Sequence, residues 1–317
     1  MLMKKRRCSG ITALKRVAIS AITLTLFMVA FMFYKLSNDN QVLNPLVNKQ
    51  LLDKSIQPDD DNPIWGKHKL AIIVPFRDRF DELMQFAPYM KKYLISKKIR
   101  HHIYVINQAD SFRFNRGSLI NIGVKESGDD CDYMAMHDVD LLPLNLDLNY
   151  DYPGEGPFHV SSPELHPIYH YPKFVGGILL LTREHFYEVG GLTNLFWGWG
   201  KEDDEFYVRM MQAGLQVRRP EGITTGYETF YHIHDRHKRK RDFAKYENQK
   251  QVTSKRDYKT GIRNVKYQVL SRIPLVVDGA NITVINVQLT CDYRLTPFCS
   301  HPTNPPKKPR PPKRLKQ

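Results

Sequence analysis

Apolar and charged positions divide the chain into one uninterrupted hydrophobic run and a longer, alternating core. Residues 17–34 (VAISAITLTLFMVAFMFY) hold 18 consecutive positions without a charge. As a helix they would span about 27 Å, enough for a thin bilayer. The run ends in Phe31-Met32-Phe33-Tyr34, not in the small residues of a cleavage site, so it predicts an uncleaved membrane anchor. Lys4, Lys5, Arg6, Arg7, Lys15 and Arg16 precede it, and basic flanks stay cytoplasmic, which puts everything after the anchor in the lumen. Residues 35–66 are polar and keep neither a helical nor a strand period, the pattern of a flexible stem.

From residue 67 the pattern changes. Leu70-Ala71-Ile72-Ile73-Val74 is an aliphatic strand. Leu83, Phe86, Ala87, Met90 and Leu94 then recur at helical spacing. His102-Ile103-Tyr104-Val105-Ile106 is a second strand, Phe114-Asn115-Arg116-Gly117 opens a second helix through Leu119, Ile122 and Gly123, and Tyr133-Met134-Ala135-Met136 is a third strand. This β-α-β-α-β order predicts a parallel sheet with right-handed crossovers. Pro143 is expected to close the third run, because proline cannot continue a central ladder. Phe174 to Leu181 reads as a further buried strand containing the Gly176-Gly177 pair, Phe206 to Met211 as a helix, and Phe230 to Asp235 as a strand.

Charge changes the picture in one respect. The 317 residues carry a net +14. Six positive charges lie before residue 17, and six more (Lys307, Lys308, Arg310, Lys313, Arg314, Lys316) lie after residue 306. Neither end holds an acid, which leaves +2 for the remainder. A nucleic-acid-binding domain, whose basic patch lies on the folded surface, is therefore not indicated. Of the four cysteines, Cys8 and Cys131 have no CxxC neighbour. Cys291 and Cys299 form a disulfide loop in an oxidising compartment and a free pair otherwise. Asn281-Ile282-Thr283 is a glycosylation sequon, meaningful only for luminal residues.

The candidate chemistry gathers after the strands. Asp138 and Asp140 close the third strand, at the end of an open α/β sheet where ligands bind. Arg77, Arg79 and Arg116 follow strands or open helices, where they can meet the oxygens of a nucleotide. Trp197-Gly198-Trp199-Gly200 either stacks on a sugar face or is a core aromatic pair with glycine turns. Glu202, Asp203, Asp204 and Glu205 open a helix, where acids complement the dipole. Four in succession exceed what a cap requires, and repulsion would raise the proton affinity of one of them. His232 and His234 share a strand face and can share a metal. A carboxylate with two imidazoles, completed by phosphate oxygens, suits Mn²⁺ better than Mg²⁺. Residues 236–241 are a basic run, either a solvated face or a docking patch for an acidic substrate.

Pro75-Phe76-Arg77-Asp78-Arg79, Phe114-Asn115-Arg116, Asp138-Val139-Asp140 and Trp197-Gly198-Trp199-Gly200-Lys201-Glu202-Asp203-Asp204, in this order, resemble the β-1,4-galactosyltransferase family from about Lys69 to Cys299. Residues 158–167 and Phe230-Tyr231-His232-Ile233-His234 resemble its xylose-acceptor branch, since other members carry Met-x-x-His where this chain has His-x-His. The resemblance implies a GT-A-type nucleotide-sugar-binding α/β fold with a central, mostly parallel sheet, preceded by a single transmembrane helix. It implies Mn²⁺, UDP-galactose as donor, and inverting transfer to the 4-hydroxyl of xylose on a proteoglycan core protein.

Carried residue by residue, Asp140, His232 and His234 would hold the metal, and Asp203 would be the general base. Pro75, Phe76, Arg77, Arg79, Phe114, Asn115, Arg116, Asp138, Val139, Trp199 and Glu202 would face the donor, with Trp199 as a lid between Gly198 and Gly200. Tyr169, Tyr171, Asp203 and Asp204 would face the acceptor. The expected organisation is a cytoplasmic tail (1–16), anchor (17–34), stem (35–66), luminal catalytic domain (67–300) and basic Pro-rich tail (301–317), as a type II protein of the Golgi membrane. Two rival readings are transfer to terminal N-acetylglucosamine and a non-catalytic luminal lectin that binds glycosaminoglycan.

Overall fold

The computed structural model describes residues 60–302. The expected N-terminal tail, the anchor at 17–34 and most of the two flanking segments lie outside the described residues. Among the described residues no helix is long and apolar enough to cross a membrane.

Strand β1 (Leu70–Phe76) is buried along its whole length, as its aliphatic run demands of a strand covered on both faces. Helix α1 (Phe80–Ser96) buries Leu83, Phe86, Ala87, Met90 and Leu94, the stripe set by its helical period. β2 (His101–Gln108), α2 (Arg116–Glu126) and β3 (Tyr133–His137) follow, and β1 runs parallel to both β2 and β3. A Cβ at Gly123 would lie 2.2 Å from Ile73 Cγ2. The missing side chain lets α2 ride directly on β1, which brings Arg116 at the start of α2 to the end of β3.

The remaining elements are β4 (Leu141–Pro143), β5 (Phe158–His159), β6 (Ile178–Thr182), α3 (Arg183–Val189), α4 (Glu202–Gln212), β7 (Phe230–His232), α5 (Gln249–Ser254), β8 (Tyr267–Val277) and β9 (Ala280–Leu289). The main sheet has seven strands in the order β5-β6-β3-β1-β2-β9-β8. It is mixed, not mostly parallel as expected. Only the central β3-β1-β2-β9 pairs are parallel, and β6, β5 and β8 join antiparallel. At β8–β9 the connection dictates this. Asp278 and Gly279, both at positive φ, form a tight turn, and a tight turn can join only antiparallel strands.

Three local expectations also change. β6 begins at Ile178, so Gly176 and Gly177 precede the strand. Pro143 does not simply terminate the third run: it ends β4, which pairs antiparallel with β7 in a separate two-stranded sheet. The strand through the histidines stops at His232, leaving His234 just beyond it.

Residues 60–66, read as stem, belong to the folded unit. Asp60 is buried, its carbonyl accepts from the His101 amide at 3.0 Å, and its carboxylate lies 3.0 Å from Lys91 Nζ. Asp61 is held by Lys69 at 2.6 Å and Arg100 at 2.8 Å. A run of acids with no period resembles a linker until its cations, distant in sequence, are placed. Cys291 and Cys299 are bonded, with Cα atoms 6.2 Å apart. Cys131 is free and buried, and burial pushes its thiol up to about 12.

Candidate active site

The ends of β1 and β3, the start of α2, the start of α4 and the β4–β7 ladder surround a cavity of about 650 Å³. The ladder explains why acid and imidazoles meet. Leu141 is in register with His232, and the Ile233 amide donates to the Asp140 carbonyl at 2.9 Å. Asp140 is therefore set against both histidines: His234 Nδ1 donates to its Oδ2 at 3.1 Å, and His232 Nε2 lies 3.8 Å from its Oδ1. The two imidazoles stack with centroids 5.4 Å apart.

Burial raises the proton affinity of Asp140, but the hydrogen bond from His234, then His232 and Arg79, outweigh it and keep the carboxylate charged. Burial lowers that of His232 in spite of Asp140, keeping the imidazole neutral. A charged carboxylate beside imidazole nitrogens is the donor set of a divalent transition metal. Among the described residues, no group of three or more His, Cys, Asp or Glu is already spaced as a metal cage. Here carboxylate and imidazole satisfy one another by hydrogen bonding. The donor chemistry fits Mn²⁺.

Across the cavity a second charged group is centred on Arg116. Asn115, buried, caps α2 by accepting from the Ser118 amide at 2.9 Å. The next residue, Arg116, sends Nε to Asp138 Oδ1 at 3.0 Å and Nη1 to Asp203 Oδ1 at 2.8 Å. Glu202 lies 4.0 Å away. Burial works against the arginine's charge, but Asp138, Asp203 and Glu202 outweigh it, so its proton is held more tightly than usual. Burial pushes Glu202 up to about 7, helped by Asp203. Asp203 is also raised by burial, against Arg116, which favours its ionised form.

Most residues singled out from the sequence line this cavity: Pro75, Arg77, Arg79, Phe114, Arg116, Asp138, Val139, Asp140, Tyr169, Tyr171, Trp199, Glu202, Asp203, Asp204, His232 and His234. Two expected donor contacts do not. Phe76 is a core residue of β1, and Asn115 is spent on capping α2 and on the Asn194 carbonyl. Arg77 is on the wall, but its guanidinium donates to the carbonyls of Gln108, Phe112 and Asp110. Its work is to shape the loop after β2. Asn281 is elsewhere, exposed at the start of β9, where its Nδ2 donates to Asp60 at 3.3 Å.

Arg113 comes to the site unannounced by the sequence, and the basic run takes a definite place there. Arg113 is buried and donates to Asp242 at 2.6 Å, to Gln249 at 2.8 Å and to the Ala244 carbonyl at 2.8 Å. The Asp242 backbone carbonyl accepts from the Trp199 amide at 2.9 Å, so a buried cation fixes the tryptophan loop to the basic segment. Arg239 makes a two-pronged ion pair with buried Glu82 of α1, at 2.6 and 2.7 Å. Arg241 lies over the rings of Trp199 and Tyr169, at 5.0 and 5.6 Å. The basic run is thus one wall of the cavity. His166, also on the wall, accepts from the Ile168 and Tyr169 amides through Nδ1, which leaves the proton on Nε2.

Two family models match the chain: the N-terminal region of glycosyl transferase group 7 over residues 35–152, and the N-terminal domain of galactosyltransferase over residues 156–233. The chain is 57% identical over 241 residues to beta-1,4-galactosyltransferase 7 of Homo sapiens, covering 76% of this chain and 74% of the relative. It is 45% identical over 265 residues to xylosylprotein 4-beta-galactosyltransferase of Caenorhabditis elegans, covering 81% and 90%. A solved mutant of Drosophila beta-1,4-galactosyltransferase 7, in complex with manganese, UDP-Gal and xylobiose, superposes with a TM-score of 0.73 at 55% identity, covering 74% of this chain and 99% of that one.

The Arg116 arrangement makes a prediction about stability. Arg116→Met leaves Glu202 and Asp203 buried without their cation, so their folded-state proton affinity rises further above the unfolded value. Ionising them then destabilises the fold, by about 3–5 kcal/mol at pH 7.5. The loss shrinks as pH falls through Glu202's raised value, about 7 in the wild type. Thermal unfolding at pH 7.5 and 5.5 checks this: the variant's midpoint should rise relative to wild type on acidification.

Proposed function

The chain belongs to the β-1,4-galactosyltransferase family, and from that premise we propose that its cavity moves galactose from UDP-galactose to the 4-hydroxyl of xylose, with inversion. The observation that carries this reading is the joining of Asp138 and Asp203 by one buried arginine, opposite the Asp140–His232–His234 trio. Asp140, His232 and His234 would hold Mn²⁺. When bound, the ion supplies positive charge for the departing diphosphate.

The chain's own residues divide the rest. Asp203 Oδ1 is engaged by Arg116, whereas Oδ2 takes no hydrogen bond among the described residues. Oδ2 is therefore the oxygen that receives the proton of the acceptor hydroxyl as that oxygen attacks. Arg116 keeps this base ionised and in place. Asp138, on the arginine's other side, faces the donor. Tyr169 and Tyr171 offer ring faces to xylose, and Trp199, exposed on its loop, closes over the donor.

The acceptor in its natural setting is xylose on a proteoglycan core protein. Lys201, Lys238 and Lys240 line the mouth and are exposed, which suits an acceptor whose protein part is acidic. Residues 17–34 would anchor the chain in the Golgi membrane with the catalytic domain luminal, in type II orientation. The Cys291–Cys299 bond and the exposed sequon at Asn281 suit that compartment. A glycosidase-sensitive mass shift, lost in Asn281→Gln, would test it. An unshifted wild type would count against it.

Turnover assays with UDP-galactose and Mn²⁺ test the chemistry. Activity is expected with a β-xyloside and not with N-acetylglucosamine. Asp203→Asn should lose at least about 10³-fold in kcat while UDP binding persists. Because Asp203 must be unprotonated and its proton affinity is raised, wild-type activity should fall with decreasing pH at a higher pH than for an ordinary aspartate. Retained turnover in Asp203→Asn would remove the base from this scheme, and a binder without turnover would favour the lectin reading.

A further inference from the structure

Gly176 and Gly177 precede β6, and they are glycines for different reasons. Gly177 has φ 75°, a backbone conformation that only glycine adopts freely. Gly176 has no such need. A Cβ there would instead lie 2.5 Å from Asp203 Oδ2 and 2.7 Å from the ring of Phe174. The absent methyl is the space in which the free oxygen of Asp203 sits.

The backbone is pinned, and the ring has room for only a small shift. The Gly176 carbonyl accepts from His159 Nε2 at 2.8 Å and from Ser161 Oγ at 2.9 Å, and Ser161 Oγ also accepts from the Ile178 amide at 2.8 Å. Burial lowers His159 to about 4, so its single proton stays on Nε2, donating to this carbonyl. On the next residue, the Gly177 carbonyl accepts from the Asp138 amide at 3.0 Å. Phe174 is boxed by the rings of His159, His166, Tyr169 and Tyr171, with centroids between 4.9 and 5.6 Å. The group free to move is the end of the Asp203 side chain.

We propose that Gly176 is a positioning residue: its backbone, pinned by His159 and Ser161, forms the floor that sets where Asp203 Oδ2 meets the acceptor hydroxyl. This rests on the reading of Asp203 as the base. Displacing the carboxylate end strains its bond to Arg116, and a misplacement of about 1 Å costs roughly 10²-fold in rate.

The test is Gly176→Ala in the full chain, assayed with UDP-galactose, Mn²⁺ and a β-xyloside. The expected result is a fall of about 10²-fold in kcat, with the calorimetric affinity for UDP with Mn²⁺ near wild type and a folded variant of somewhat lower melting temperature, because the Phe174 ring must also give way to the new Cβ. The pH profile adds a readout that packing alone would not move. Asp203 is faced by Arg116 of α2, Asp138 after β3, Glu202 and Asp204 of α4, and Tyr169 and Tyr171 of the preceding loop. Only Arg116 lowers its proton affinity among these neighbours, so a carboxylate pushed from Arg116 should lose activity at a pH about one unit higher. A kcat within three-fold of wild type would overturn the proposal, as would a variant that fails to fold or loses UDP affinity in step with kcat. Asp203→Asn, assayed alongside, separates the two levels. If it remains active, the base assignment fails. If it is inactive while Gly176→Ala is normal, only the floor fails.

Discussion

One arginine reaches two walls of the cavity. Arg116 touches Asp138 at the end of β3 and Asp203 in the first turn of α4, residues brought together from opposite flanks of the site. Two carboxylates so near each other in a buried space repel, and the cation between them makes the arrangement tolerable. Its own place is determined by packing. Gly123 lets α2 sit on β1, and Asn115 caps the helix so that the next side chain points into the site. On the proposed reading, the same arginine holds the donor-side acid and the acceptor-side base in fixed relation, and geometry of that kind supplies much of a transferase's rate.

A second buried arginine does comparable work for the opposite wall. Arg113 accepts no water-facing role: its amide donates to the Cys299 carbonyl at 2.7 Å and its guanidinium to Phe298, Asp242, Ala244 and Gln249. Gln249 also donates to the Trp197 carbonyl at 2.8 Å. A line of contacts therefore runs from the disulfide loop through Arg113 to the tryptophan loop. Buried Trp197 anchors that loop, and exposed Trp199 is left at the cavity. The disulfide thus bears on the active-site wall as well as on the C-terminal end of the sheet.

The parts legible in the sequence are those whose signal is local. β1, α1, β2, α2 and β3 follow from apolar periods, and the acids, the His-x-His pair and the tryptophan loop follow from motifs that converge on one cavity. The parts that were not legible depend on distant pairing. β6 joins β3 antiparallel and β5 joins β6 antiparallel at the edge, and no short period announces a strand's direction. Asp60 and Asp61 resemble a linker until Lys91, Lys69 and Arg100 are placed beside them. Arg113 carries no signal in the sequence, since nothing local shows the distant partners that bury it. Phe76 and Asn115 belong to the right motifs, but the strand turns one side chain into the core and the helix cap consumes the other.

The central claim is that Arg116 couples Asp138 to Asp203, and a double-mutant cycle measures it. Unfolding free energies would be determined for Asp138→Asn, Asp203→Asn and the double variant at pH 7.5. Each single variant leaves Arg116 one carboxylate, whereas the double variant strips both contacts from a buried cation. The account predicts that the double variant loses more than the sum of the singles, by about 1–3 kcal/mol. Additivity within about 0.5 kcal/mol would mean that the two acids act independently and that Arg116 does not link them.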